Sequence, residues 1–185
     1  MKPIILASAS LRRQQLFNVL GYDYKVIIPQ VDEQFYDHET PHDTAKRLAY
    51  EKAIDVFNKH SDATIVGCDT IVAVDGVMLG KPLDKDDAER MLRLLKNKRH
   101  VVVTGCCVKN ENTMHVFSSE ARVTFDDMTA CEIDAYIRSE EPFGKAGGYA
   151  IQGEAAKFIK KIEGDYYAVM GLPVHLLYRT LQTLS

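Results

Sequence analysis

The chain has 185 residues, 46% of them apolar and 26% charged, with a formal net charge of −3. That is enough chain for one domain, or two closely packed lobes, around a real core, and it lacks the basic excess that marks a nucleic-acid binder. No apolar run reaches the roughly 18 residues of a membrane span. The Pro3–Ala7 run behind a lone lysine is too short for a secretory signal, so the composition predicts a cytoplasmic protein with neither membrane nor nucleic acid as partner, a homodimer being left open. The four cysteines (Cys68, Cys106, Cys107, Cys131) show no C-x-x-C spacing and read as reduced thiols, with Cys106 and Cys107 on opposite faces of a strand.

Taken in chain order, Pro3–Ala7 reads as a buried strand, followed by Ser8-Ala9-Ser10 and a helix from about Leu11 to Leu20 that stops at Gly21. Tyr24–Ile28 is a second strand. Residues 31–43 are acidic, with no Lys or Arg, and read as solvated loop, after which Asp43 is expected to cap a helix running to about Asn58. Ala63–Val74 and Val77–Leu79 form a hairpin around Asp75-Gly76. Asp84 caps a helix with the apolar stripe Ala88, Met91, Leu92 and Leu95. Strands are expected at His100–Lys109 and His115–Phe125, then a helix opened by the capping box Thr129–Glu132 and ending near Ser139. Gly144–Gly153 is glycine-dense. Phe158–Ile162 and Tyr166–Met170 read as a hairpin around Glu163-Gly164-Asp165, and Pro173 as the first residue of a last helix. The pattern predicts an α/β fold with a mixed sheet in two lobes around a cleft.

Three kinds of residue carry chemistry. Ser8, Ser10, Arg12 and Arg13 crowd a strand-to-helix junction, where free N–H groups and the helix dipole attract anions; arginines there oppose the dipole, so stability alone does not choose them. Lys52 lies inside the apolar stripe Ala45, Leu48, Ala49, Ala53, Val56, where an ammonium requires a partner or must snorkel to water. Asp69 interrupts the apolar run Ile65–Val72 and needs a metal, a lysine or a reacting water beside it. Lys81, in Gly80-Lys81-Pro82, is a further candidate cation, and Gln152, in the glycine-rich Lys145–Gly153 stretch, has an amide able to read a base edge. Acids (Glu33, Asp69), cations (Arg13, Lys52, Lys81) and hydroxyls (Ser8, Ser10) together suit metal-assisted chemistry on a polyphosphate. Neither a phosphate-binding P-loop, a dinucleotide fingerprint nor a nucleophile elbow is present.

In this order the motifs resemble the Maf family of nucleotide pyrophosphatases: Ser8–Arg13, Val31-Asp32-Glu33, Arg47-Leu48-Ala49 with Glu51-Lys52-Ala53, Asp69-Thr70, Gly80-Lys81-Pro82, Lys145–Tyr149 with Ile151-Gln152-Gly153, and Gly171-Leu172-Pro173. The resemblance covers nearly the whole chain and implies one Maf-like domain over residues 1–185 with an inosine-triphosphatase-like fold and a deep cleft. It implies hydrolysis of nucleoside triphosphates to monophosphate and pyrophosphate with a divalent cation, magnesium or manganese. It implies Asp69 as proton acceptor and Arg12, Thr70 and Gln152 as the substrate-specificity positions, with identities like those of the branch acting on dTTP and UTP; the residues themselves suggest Ser8, Arg13, Lys52 and Lys81 as phosphate-binding and Glu33 with Asp69 as metal ligands. Two other readings stand beside it: the same reaction on 7-methyl-GTP, and a nucleotide-binding regulator of septum formation without catalysis. Two residues depart from the family pattern, Leu11 where Pro is usual and Gly144 where an acid often precedes Lys145. The second puts the support of Lys145 and the metal in question.

Overall fold

A computed structural model describes residues 2–184; Met1 and Ser185 of the expected 1–185 unit lie outside the described residues. The strands are β1 (Ile4–Ala7), β2 (Tyr24–Ile27), β3 (Thr64–Val74), β4 (Val77–Leu79), β5 (Arg99–Lys109), β6 (Met114–Phe125) and β7 (Ile159–Gly164). The helices are α1 (Leu11–Asn18), α2 (Pro41–Phe57), α3 (Lys85–Leu95), α4 (Ala130–Arg138), α5 (Tyr166–Met170) and α6 (Val174–Gln182). The strands form one seven-stranded mixed sheet in the order β2-β1-β3-β5-β6-β7, with β4 paired to β3. β1 runs parallel to β2 and β3, and the remaining pairs are antiparallel.

The register of β3 opens a hole in this sheet. β1 pairs with β3 only as far as Ala7 opposite Gly67, and β4 picks up the same edge at Val72 opposite Leu79. Cys68–Ile71 therefore have no strand on that side, and the carboxyl ends of β1 and β2 point into the space left over, where open α/β sheets bind ligands.

Side-chain alternation along β3 sorts the packing. Ile65 and Ile71 face α2, whose Ala45, Leu48, Ala49, Ala53 and Val56 are fully buried against the sheet. The helix comes this close because of two glycines. A Cβ on Gly67 would meet the Ala49 carbonyl and lie 2.8 Å from Ala53 N, and one on Gly105 would meet the Ala45 carbonyl and lie 2.7 Å from Lys46 N. On the other face Val66 and Cys68 pack with α1 and α6, whereas Val72 and Val74 pack with α3 and α4. Thr70 lies between these two groups of helices, which form the two lobes.

Several boundaries differ from the sequence reading. Thr40, not Asp43, caps α2, because Pro41 is fixed at the helical φ in its first turn; the Asp43 carboxylate falls inside that turn, where the dipole favours it. α1 stops at Asn18, ahead of Leu20, with Gly21 at φ 75° beyond it. Tyr166–Met170 is a helix rather than the second strand of a hairpin: the Asp165 carboxylate accepts from Tyr167 N and Ala168 N, and Gly171 closes the turn in the left-handed region at φ 105°. This cap outweighs the strand propensity of two tyrosines and a valine. Pro173 precedes α6 as its cap residue instead of opening it. Cys68, Cys106 and Cys107 are buried free thiols, with Cys106 and Cys107 on opposite faces of β5, and Cys131 is exposed and free.

Candidate active site

A cleft of about 560 Å³ opens at the hole in the sheet. Asp69 and Thr70 sit on its floor, supplied by the unpaired stretch of β3. Asp69 points to the α2 side, where close packing across Gly67 and Gly105 carries Lys52 down to it; the two are only 5% and 6% exposed. The Lys52 ammonium donates to Asp69 Oδ1 and, at 2.7 Å, to Glu33 Oε1. Glu33 Oε2 accepts from Lys81 Nζ at 2.7 Å. The result is an alternating chain Asp69–Lys52–Glu33–Lys81 that leads from a buried floor to an exposed rim. It answers why a lysine sits in an apolar stripe and an aspartate in an apolar strand: each offsets the desolvation of the other. Burial by itself would raise the Glu33 carboxyl, but Lys52 and Lys81 overcome that and hold it down at about 2.

On the opposite face of β3, Thr70 meets the junction after β1. Ser10 caps α1 by accepting from Arg13 N at 3.4 Å, and Ser8 Oγ accepts from Ser10 N at 3.1 Å. Arg13 is spent inside the protein. Its Nε donates to Gly171 O at 2.7 Å, and its guanidinium donates to Thr70 Oγ1 at 3.0 Å and Ser8 Oγ at 3.5 Å, bracing α1 to β3 and to the end of α5. Thr70 pairs with Thr104 Oγ1 at 2.8 Å, and Thr104 donates to Ala168 O at 2.6 Å. Arg12 behaves differently: it lines the cleft and donates no hydrogen bond among the described residues. Burial and the neighbouring Arg13 lower its pKa, so an anion arriving there relieves both.

The far wall comes from the glycine-dense stretch. Gly147 N donates to Gly80 O at 2.9 Å, which ties this stretch to the Lys81 turn. Lys145 lines the cleft with its Nζ on the backbone carbonyls of Glu141 at 2.5 Å and Phe143 at 3.5 Å. Burial and Arg12 lower its pKa. Tyr149 is buried beneath, hydrogen-bonded to His100 Nε2 at 2.8 Å.

Ser8, Ser10, Arg12, Arg13, Glu33, Lys52, Asp69, Thr70, Lys81 and Lys145 thus share one cleft. Gln152 does not line it: it is exposed at the tip of the segment beyond Tyr149. Leu11 is exposed, so the missing proline costs α1 only a preset φ. Gly144 adopts φ 73°, a conformation an acidic residue would resist, and Lys145 is held by backbone carbonyls instead. Thr104, Glu141 and Tyr136, which organise the site from behind, escaped the sequence reading, because each acts through a strand register or a loop contact that no local pattern displays.

Fold and site together define an α/β protein with a polyanion-sized cleft at the open edge of a mixed sheet. The chain belongs to the Maf family: the model of the Maf-like protein family matches residues 3–184. It is 43% identical to a dTTP/UTP pyrophosphatase of Bacillus pumilus (strain SAFR-032), over 100% of this chain and 98% of that one. It is 42% identical to a dTTP/UTP pyrophosphatase of Bacillus anthracis, over 100% and 97%. Among solved structures, the Staphylococcus aureus Ham1 protein superposes with a TM-score of 0.51 at 16% identity over the whole of both chains, a likeness of fold alone.

Proposed function

We propose that this protein is a nucleoside triphosphate pyrophosphatase acting on dTTP and UTP, with Asp69 as the proton acceptor. The observation that carries the reading is the chain Asp69–Lys52–Glu33–Lys81 on the floor and rim of a cleft that Arg12 and Lys145 also line. The relatives named dTTP/UTP pyrophosphatase, aligned over the full chain, support the substrate class.

In this reading the triphosphate lies along the cleft, with Arg12, Lys81 and Lys145 on its oxygens and the base towards Gln152. Water adds its oxygen at the α-phosphorus, and its proton passes to Asp69. The bond from that phosphorus to the α–β bridging oxygen breaks, and pyrophosphate leaves. Lys52 pairs with Asp69 and fixes its direction, and Arg13 holds Thr70 and the α1 N-terminus in place.

Two carboxylates, Glu33 and Asp69, converge on one ammonium. No cluster of three or more His, Cys, Asp or Glu that could hold a metal occurs among the described residues. A pair of hard oxygen donors beside a phosphate site suits magnesium or manganese, which take one or two carboxylates and complete their shell with water and substrate oxygens. Such an ion supplies charge neutralisation of the polyphosphate. No described helix is long and apolar enough to cross a membrane. Three buried free thiols support a reducing compartment, the cytoplasm, as the working location; clearance of unwanted pyrimidine nucleotides is the role that follows from the proposed substrates.

Pyrophosphate release across a panel of triphosphates, with magnesium or manganese added, tests the reading. The wild-type chain turns over dTTP and UTP first. Asp69→Asn still folds, at some cost in stability from the Lys52 charge it leaves less compensated, and at a temperature where both proteins are folded it loses about 100-fold or more in rate, the range of a general base. Wild-type turnover by Asp69→Asn, or no monophosphate from any nucleotide, overturns it. A preference for 7-methyl-GTP moves the substrate assignment.

A further inference from the structure

Behind the wall that carries Arg12 and Lys145 lies a carboxylate with no part in the chemistry above. Glu141 follows α4 and is half-buried. Its Oε1 accepts from the Tyr136 hydroxyl at 2.8 Å and from Ala155 N at 3.4 Å, and its Oε2 accepts from Glu154 N at 2.9 Å. The Tyr136 oxygen accepts in turn from Ala150 N at 3.3 Å. One carboxylate and one fully buried phenol therefore hold both ends of Ala150–Ala155, the segment that displays Gln152. Gly153 belongs to the same device, since a Cβ there would run into the Glu141 carboxylate.

The same residue reaches the cleft in two more ways. Its backbone carbonyl is the near acceptor for Lys145 Nζ at 2.5 Å. Its charge raises the pKa of both Arg12 and Lys145 against what lowers them, burial together with Arg13 beside Arg12 and Arg12 beside Lys145. Glu141 makes no contact with Asp69, Lys52, Glu33 or Lys81, so its influence falls on the rim and not on the proton-transfer floor.

We propose that Glu141, acting with Tyr136, is a positioning residue for substrate choice: it locks Lys145 on the cleft wall and the Gln152 segment, which runs on from the cleft-lining Tyr149, into one arrangement. This rests on the pyrophosphatase reading and assigns the base-reading side of that site.

The test compares kcat/KM for dTTP, UTP, dCTP and CTP in the full chain with Tyr136→Phe, Glu141→Gln and Gln152→Ala. Tyr136→Phe deletes one buried oxygen and leaves the ring packed, so it decides the matter if Glu141→Gln fails to fold. We expect the dTTP-to-dCTP preference to fall about fivefold, the worth of one hydrogen bond, through KM and with kcat for dTTP little changed. In the Gln152→Ala background, Tyr136→Phe should lower the preference no further. An unmoved preference, or the same loss on every nucleotide, overturns the inference and leaves the pyrophosphatase reading standing. A wild-type chain that releases pyrophosphate from nothing takes both down.

Discussion

Lys52 shows how a single residue can be legible in type and illegible in partner. Its place in the apolar stripe of α2 announces a buried charge, and Asp69 announces another on a strand seventeen positions later, yet only packing shows that they answer one another and share Glu33. Removing the cation leaves two carboxylates facing each other, the buried Asp69 with no other cation bonded to it among the described residues. Lys52→Met is expected to cost about 3 kcal/mol by urea unfolding at pH 7, and adding Asp69→Asn should recover part of it. Equal stability of Lys52→Met and wild type would mean that the triad is not carrying charge compensation. Arg13 teaches the converse. Its position beside Arg12 suggests twin phosphate ligands, but the folded chain turns Arg13 inward onto Gly171 and Thr70 and leaves Arg12 in the cleft. Adjacent residues on a helix point about 100° apart, so neighbours of the same type take different tasks.

At the scale of elements, capping chemistry was the most readable signal. The Thr129–Glu132 capping box and the Asp84 cap each open a helix where the sequence predicts one. The failure at Tyr166–Met170 arose from the same source, because Asp165 works there as a cap and not as a turn residue. The seating of α2 on β3 and β5 depends on Gly67 and Gly105, which look unremarkable inside valine-rich strands. Gly105→Ala should lift α2 from the sheet, with a loss of roughly 1–3 kcal/mol by the overpacking rule. It should lower turnover beyond what the stability change explains, since Lys52 moves with the helix. Denaturant unfolding alongside steady-state kinetics at a temperature where both proteins stay folded separates the two effects.

For the whole molecule, two ionisable groups, the buried His100 and Glu33 nearer the cleft rim, shape the acid limb of stability. Burial lowers the His100 imidazole from 6.5 to about 4, so the native state keeps it neutral while the unfolded chain takes up a proton. The corresponding stability is full above pH 6.5 and drains away as pH falls towards 4. Glu33 adds a second window: its ionised form is favoured from 4.5 down to about 2, so its contribution is present above pH 4.5 and disappears below. Thermal midpoints across pH should show both steps, with His100→Leu flattening the upper one and Glu33→Gln the lower. An unchanged upper slope in His100→Leu would remove His100 as its source.

By itself the sequence determined the alternation of helices and strands up to α5, the apolar faces, the caps of α3 and α4 and the residue types of the cleft, because periodicity, propensity and capping act within a dozen positions. Tertiary structure alone decided the hole in the sheet, which arises where β1 ends and β4 begins along the same edge of β3. It also decided the pairing of Lys52 with both acids and the clamp of Glu141 on a segment thirteen residues away. These depend on register and on which side chains meet once water has left, and neither is written in any local stretch of the chain.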